Sequence, residues 1–125
     1  MSFALVIDDS KQAADALVQM LNLWDLQARS ALNPAGGMSI LESAVPNVIF
    51  LDINMPGVDG FEVLGFLRRE PRLINVPVII VTSDDQPETA HKAIKSGASS
   101  VIIKPVMIDS LESALVKAGI IINKP

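Results

Sequence analysis

The chain has 125 residues, 50% hydrophobic and 19% charged, which suits about one ordinary domain with its own core and is too apolar for a disordered tail. Its 10 Lys plus Arg against 14 Asp plus Glu leave a net charge of −4, so nothing pulls it electrostatically onto nucleic acid or an anionic membrane. The absence of cysteine excludes disulfides, thiol catalysis and thiolate metal sites, and a single histidine excludes a site built on several imidazoles.

The first apolar run covers residues 4–7 and has no polar alternation, as expected of a strand buried on both faces. Ala13, Leu17, Met20, Leu21 and Trp24 then fall on one helical face, with Ser10 as its N-cap and Trp24 packing at the far edge. Residues 27–30 read as a short edge strand, and Pro34 opens a helix carrying Met38, Ile40 and Leu41. A second buried run, 48–51, precedes a helix marked by Phe61, Leu64 and Leu67; a third, 76–81, precedes one marked by Ala90, Ala93, Ile94 and Gly97. The last run, 101–103, precedes a helix marked by Ile108, Leu111, Leu115 and Ala118.

Five strand and helix pairs without a linker predict a single α/β domain over residues 1–125, with a doubly wound parallel sheet. The amino terminus lacks a basic flank and meets acid at Asp8, and no apolar run approaches the roughly 20 residues that span a bilayer. The expectation is a soluble, cytoplasmic protein.

Ligands of such sheets bind beyond the carboxyl ends of the strands. There the chain places Asp8 and Asp9 after the first run, Asp52 after the central one, Thr82 and Ser83 after the next, and Lys104 and Pro105 after the last. Three carboxylates at one rim repel unless a cation lies among them, and a hard divalent ion with oxygen ligands, most simply Mg²⁺, relieves that repulsion. Lys104 adds a mobile positive charge for an anionic group and Thr82 a hydroxyl donor. The set describes a phosphoryl site with a carboxylate nucleophile.

In the order and spacing of Asp8-Asp9, Asp52-Ile-Asn-Met-Pro-Gly-Val-Asp-Gly60, Thr82-Ser83 and Lys104-Pro105, the whole chain resembles a response-regulator receiver domain. The resemblance implies the flavodoxin-like (βα)5 fold with strand order 2-1-3-4-5, an order for which the chemotaxis receiver is a standard illustration. It further implies that Asp52 accepts a phosphoryl group from the phosphohistidine of a sensor histidine kinase or phosphotransfer protein, or from a small donor such as acetyl phosphate. Asp9, Asp52 and the backbone carbonyl of Asn54 would ligate Mg²⁺ directly, and Asp8 partly through water. Lys104, usually followed by a cis proline, would bind the phosphoryl oxygens, and Thr82 would swing toward the acyl phosphate. A downstream protein or output domain would read the change; the domain is a signalling switch, not an enzyme in the usual sense.

Two positions depart from the family pattern. Val101 stands where a switch aromatic is usual, and Val106 where phenylalanine is frequent. A valine makes no large inward swing, so either displacement of the loop from Thr82 to Glu88 and the helix after it carries the signal, or Val101 simply packs against the sheet while a conventional output surface persists. Asp84, two residues past Thr82, either alters phosphoryl lifetime or serves the loop and the helix that follows. His91 lies off the apolar stripe and reads as a solvated helix position. Ile120-Ile-Ile122 either packs back or begins a connection.

Three alternatives share the architecture. A pseudo-receiver would signal by contact without phosphorylation. A flavin-binding protein needs a phosphate-cradling loop where Asp8 and Asp9 stand, and a haloacid-dehalogenase-type phosphatase needs a second Asp where Asn54 stands.

Overall fold

The structure, a computed structural model, describes residues 2–122. Its elements run β1 (Ala4–Ile7), α1 (Lys11–Leu23), β2 (Ala28–Ala31), α2 (Pro34–Ser43), β3 (Val48–Asp52), α3 (Gly60–Arg69), a 3₁₀ turn (Pro71–Leu73), β4 (Val78–Thr82), α4 (Pro87–Lys95), β5 (Ser100–Ile103) and α5 (Ile108–Lys117). The five strands are all parallel, in the order β2-β1-β3-β4-β5. Winding therefore reverses between β1 and β3, and that is where Asp8 and Asp52 emerge.

Because side chains alternate along a strand, each buried run feeds two cores. Leu5, Ile7, Ile49, Leu51, Val78 and Ile80 face one side and pack with Leu41, Leu64, Leu67 and Ala93 of α2, α3 and α4. Ala4, Val6, Val48, Phe50, Ile79 and Val81 face the other and pack with Leu17 and Leu21 of α1 and Leu111, Ala114 and Leu115 of α5. Each such large apolar side chain contributes about 1.5–3 kcal/mol on burial.

The helix starts follow their residues. The Ser10 hydroxyl accepts from the Ala13 N–H at 3.2 Å, and Asn33 caps α2 by accepting from the Gly36 N–H at 2.7 Å, with Pro34 next in line. Asp59 does the same for α3, accepting from Phe61 and Glu62. Trp24 is buried at the end of α1, as its place on the stripe predicts.

Three details differ from the periodicity. The third run yields a strand only from Val78, because Pro77 has no N–H to pair and offers only its carbonyl, which accepts from Ile49. In the first turn of α1 the buried alanine is Ala14, and Ala13 is half-buried. On α4, Ala93 alone is fully buried while Ile94 is 48% exposed, since a nine-residue helix meets the sheet along one narrow line. Ile120 and Ile122 pack back onto the α1 and α5 side and Ile121 points outward.

Candidate functional site

The carboxyl ends of β1, β3, β4 and β5 bring the chemistry-bearing residues together. Carboxylate oxygens of Asp8, Asp9 and Asp52 all lie within 4.8 Å of one another, with Asp8 and Asp52 buried and Asp9 exposed. The Lys104 ammonium sits 3.0 Å from Asp8 Oδ2 and 3.3 Å from Asp52 Oδ2, so one cation serves two buried anions. The remaining oxygens are oriented by backbone: Asp8 Oδ1 accepts from the Ser10 N–H at 2.9 Å, and Asp52 Oδ1 from the Asn54 N–H at 2.8 Å.

The charges do not balance within the protein. Burial pushes the Asp52 carboxyl above its ordinary value, the negative charge of Asp8 adds to this, and the Asn54 N–H and Lys104 oppose it without prevailing. For Lys104 burial acts to lower the value, yet the hydrogen bond to Asp8 and the charges of Asp52 and Asp8 outweigh it and hold the ammonium above its usual range. Three clustered carboxylates with one ammonium form an oxygen-rich, net negative cradle, which fits a hard divalent cation. The Lys104–Pro105 peptide is cis.

Thr82 ends β4 with its side chain fully buried. Its hydroxyl donates to Asn54 Oδ1 and accepts from the Asp84 N–H at 3.0 Å. Asn54 Oδ1 also accepts from the Ser83 N–H at 3.0 Å. The sequence points to the Asn54 backbone; the two bonds of its side chain to β4 and the loop beyond are visible only once β3 and β4 are paired.

Asp84 is bonded to the start of the helix that follows it. Its carboxylate accepts from the Gln86 N–H at 2.9 Å and from the Thr89 hydroxyl, bracing the start of α4 where Gln86 itself offers no side-chain cap. Thr89 and Gln86 hold the Asp84 carboxyl below the ordinary value of 3.8. A depressed folded-state value means that this bracing stabilises the protein above 3.8 and is lost as pH falls through the folded-state value. Acidification is therefore expected to speed amide exchange at Gln86 and Thr89, a response that Asp84→Ala flattens. Equal pH dependence in the two proteins would remove Asp84 from the role.

Beside the carboxylates a cleft of about 560 Å³ opens between α1 and the segment after β5, lined by Ala13, Leu17, Met20, Val81, Pro105 and Val106 and reaching Asp8 and Lys104. Val101 is half-buried against the α2, α3 and α4 side of the sheet. His91 is exposed.

The strand order and the acid and lysine cluster beyond β1, β3 and β5 are those that the resemblance to a receiver domain implies. The family model described as the response regulator receiver domain matches residues 4–116, and the chain belongs to that family. It is 32% identical over 111 residues to protein PilH of Pseudomonas aeruginosa, covering 89% of this chain and 92% of PilH. It is 29% identical to the response regulator PleD of Caulobacter vibrioides, where the match covers 82% of this chain and 22% of PleD. Among solved structures, the signal receiver domain of a DNA-binding response regulator from Colwellia psychrerythraea shares 28% identity with a TM-score of 0.85, over 94% of this chain and 97% of that one. Chemotaxis protein CheY4 of Vibrio cholerae, 24% identical, has the same fold with a TM-score of 0.86 over 94% and 98% of the two chains. Receiver domains act in two-component signalling and are not classical enzymes. No helix among the described residues is long and apolar enough to cross a membrane.

Proposed function

We propose that the chain is a phosphoacceptor switch, in which Asp52 takes a phosphoryl group from the phosphohistidine of a sensor kinase or phosphotransfer protein. The observation that carries this reading is the convergence of one oxygen from each of three carboxylates within 4.8 Å of one another, two of them, Asp8 and Asp52, bridged by Lys104. Asp8, Asp9, Asp52 and the Asn54 carbonyl would hold Mg²⁺. Its chemistry when bound is to offset negative charge on the phosphoryl oxygens.

An Asp52 carboxylate oxygen attacks phosphorus as the bond to the donor nitrogen breaks, and the electron pair stays with the imidazole. Lys104, already between two carboxylates, turns its ammonium onto the new phosphoryl oxygens. Thr82 supplies a hydroxyl donor from β4, and its movement carries the loop at 83–86 and α4. With valine at 101, displacement of that loop and helix, in place of an aromatic swing, transmits the state to a downstream protein or output domain.

Incubation with acetyl phosphate and Mg²⁺, followed by intact mass spectrometry, is expected to show one added phosphoryl group, lost when the metal is chelated beforehand. No adduct under these conditions overturns the reading in favour of a pseudo-receiver that signals by contact alone.

A further inference from the structure

We infer that the Asn54 side chain is a latch that holds Thr82 and the loop after β4 in the resting arrangement, and so sets how readily the switch turns. The inference rests on the phosphoacceptor reading of Asp52.

A threonine hydroxyl has one proton to donate. Here that proton is committed to Asn54 Oδ1, while the oxygen accepts from the Asp84 N–H at 3.0 Å. Thr82 is fully buried, so no solvent stands ready to replace the bond. Donation to a phosphoryl oxygen on Asp52 therefore requires that the bond to Asn54 break first. The same Asn54 oxygen holds the Ser83 N–H at 3.0 Å, so the next residue of the loop is tied to the same atom. Asn54 is in turn fixed through its own N–H to Asp52 Oδ1 at 2.8 Å. One residue thus joins the acceptor carboxylate to the hydroxyl that must respond to it, and its side chain opposes that response. The side chain acts by positioning Thr82, and its effect is separable from the backbone carbonyl, which any substitution except proline leaves in a comparable place.

The prediction follows from the worth of one ordinary hydrogen bond, about fivefold in an equilibrium. Titration with beryllofluoride in saturating Mg²⁺, followed by amide shifts of residues 82–90, is expected to give about fivefold tighter half-saturation for Asn54→Ala than for the wild type. Placed in a Thr82→Ala background, the same substitution is expected to shift half-saturation by less than twofold, because the donor is gone. In the unliganded protein, three-bond couplings to the Thr82 methyl are expected to show rotamer averaging in Asn54→Ala and a single rotamer in the wild type. Unchanged or weaker binding by Asn54→Ala, or an equal effect with Thr82 absent, overturns the latch while leaving the phosphoacceptor reading intact. A wild type that gives no beryllofluoride response at all is a different result: it overturns the phosphoacceptor reading, and the latch with it.

Discussion

Asp52→Asn is expected to gain no phosphoryl group under conditions where the wild type gains one, and to unfold a few degrees higher than the wild type in Mg²⁺-free buffer. Both effects come from the same carboxylate. The substitution removes the nucleophile that the proposed reaction needs, because an amide oxygen attached to a neutral carboxamide does not attack phosphorus usefully. It also removes one of two buried anions that share Lys104 at 3.0 and 3.3 Å, leaving the Asp8 to Lys104 pair intact. An amide oxygen still accepts from the Asn54 N–H, so the local hydrogen bonding survives. Relief of like-charge repulsion on the order of 1 kcal/mol moves the midpoint of a domain this size by a few degrees.

Saturating Mg²⁺ is expected to reverse the order. The wild type gains stability from a cation that binds only the folded cradle, whereas the variant, one carboxylate poorer, gains less. Thermal unfolding of the two proteins with Mg²⁺ and with chelator reads this directly. A phosphoryl adduct of normal yield on Asp52→Asn moves the acceptor elsewhere, and a wild-type midpoint indifferent to Mg²⁺ removes the metal from the site.

Gly60→Ala is expected to destabilise the protein by about 1–3 kcal/mol and to slow uptake of the phosphoryl group. A methyl at this first position of α3 meets the Ile53 Cα at 2.4 Å and its Cβ at 2.6 Å. The obstacle is backbone, so no side-chain rotation relieves it. Either the first turn of α3 backs away from the sheet or the segment immediately after Asp52 shifts, and Asn54 shifts with it. Alanine is otherwise the better helix former by up to about 1 kcal/mol, so an unchanged or raised midpoint would mean that close packing here costs nothing. Gly57 provides the contrast. Its φ of +71° lies in the left-handed region but a Cβ there meets nothing within 4 Å, so alanine at that position introduces backbone strain without a clash.

Much of the fold was legible because its signals are local. Unbroken apolar runs at 4–7, 48–51 and 101–103 and helical stripes such as Leu17, Leu21 and Trp24 place the elements within a residue or two. Where short-range pattern failed, a single neighbour decided: Pro77 delayed β4, and a short α4 left Ile94 in solvent. Strand order came from the family resemblance, since continuous apolar runs are alike in every pairing. At the site, the acids, the hydroxyl and the lysine stood out because each follows a buried strand. Asn54 stood out only through its backbone carbonyl, and its side-chain bonds to Thr82 and Ser83 did not.

Taken alone, the sequence determined the alternation of strands and helices, the two-faced burial of the sheet and the set of groups at its carboxyl edge, because periodicity and position after a buried strand are properties of neighbouring residues. Tertiary structure decided that one lysine bridges Asp8 and Asp52 and that Asn54 clasps Thr82 across 28 residues. Those outcomes depend on distances of about 3 Å between paired strands and the loops beyond them. Hydrogen bonds and ion pairs form only when such distances are met, and no spacing along the chain encodes them.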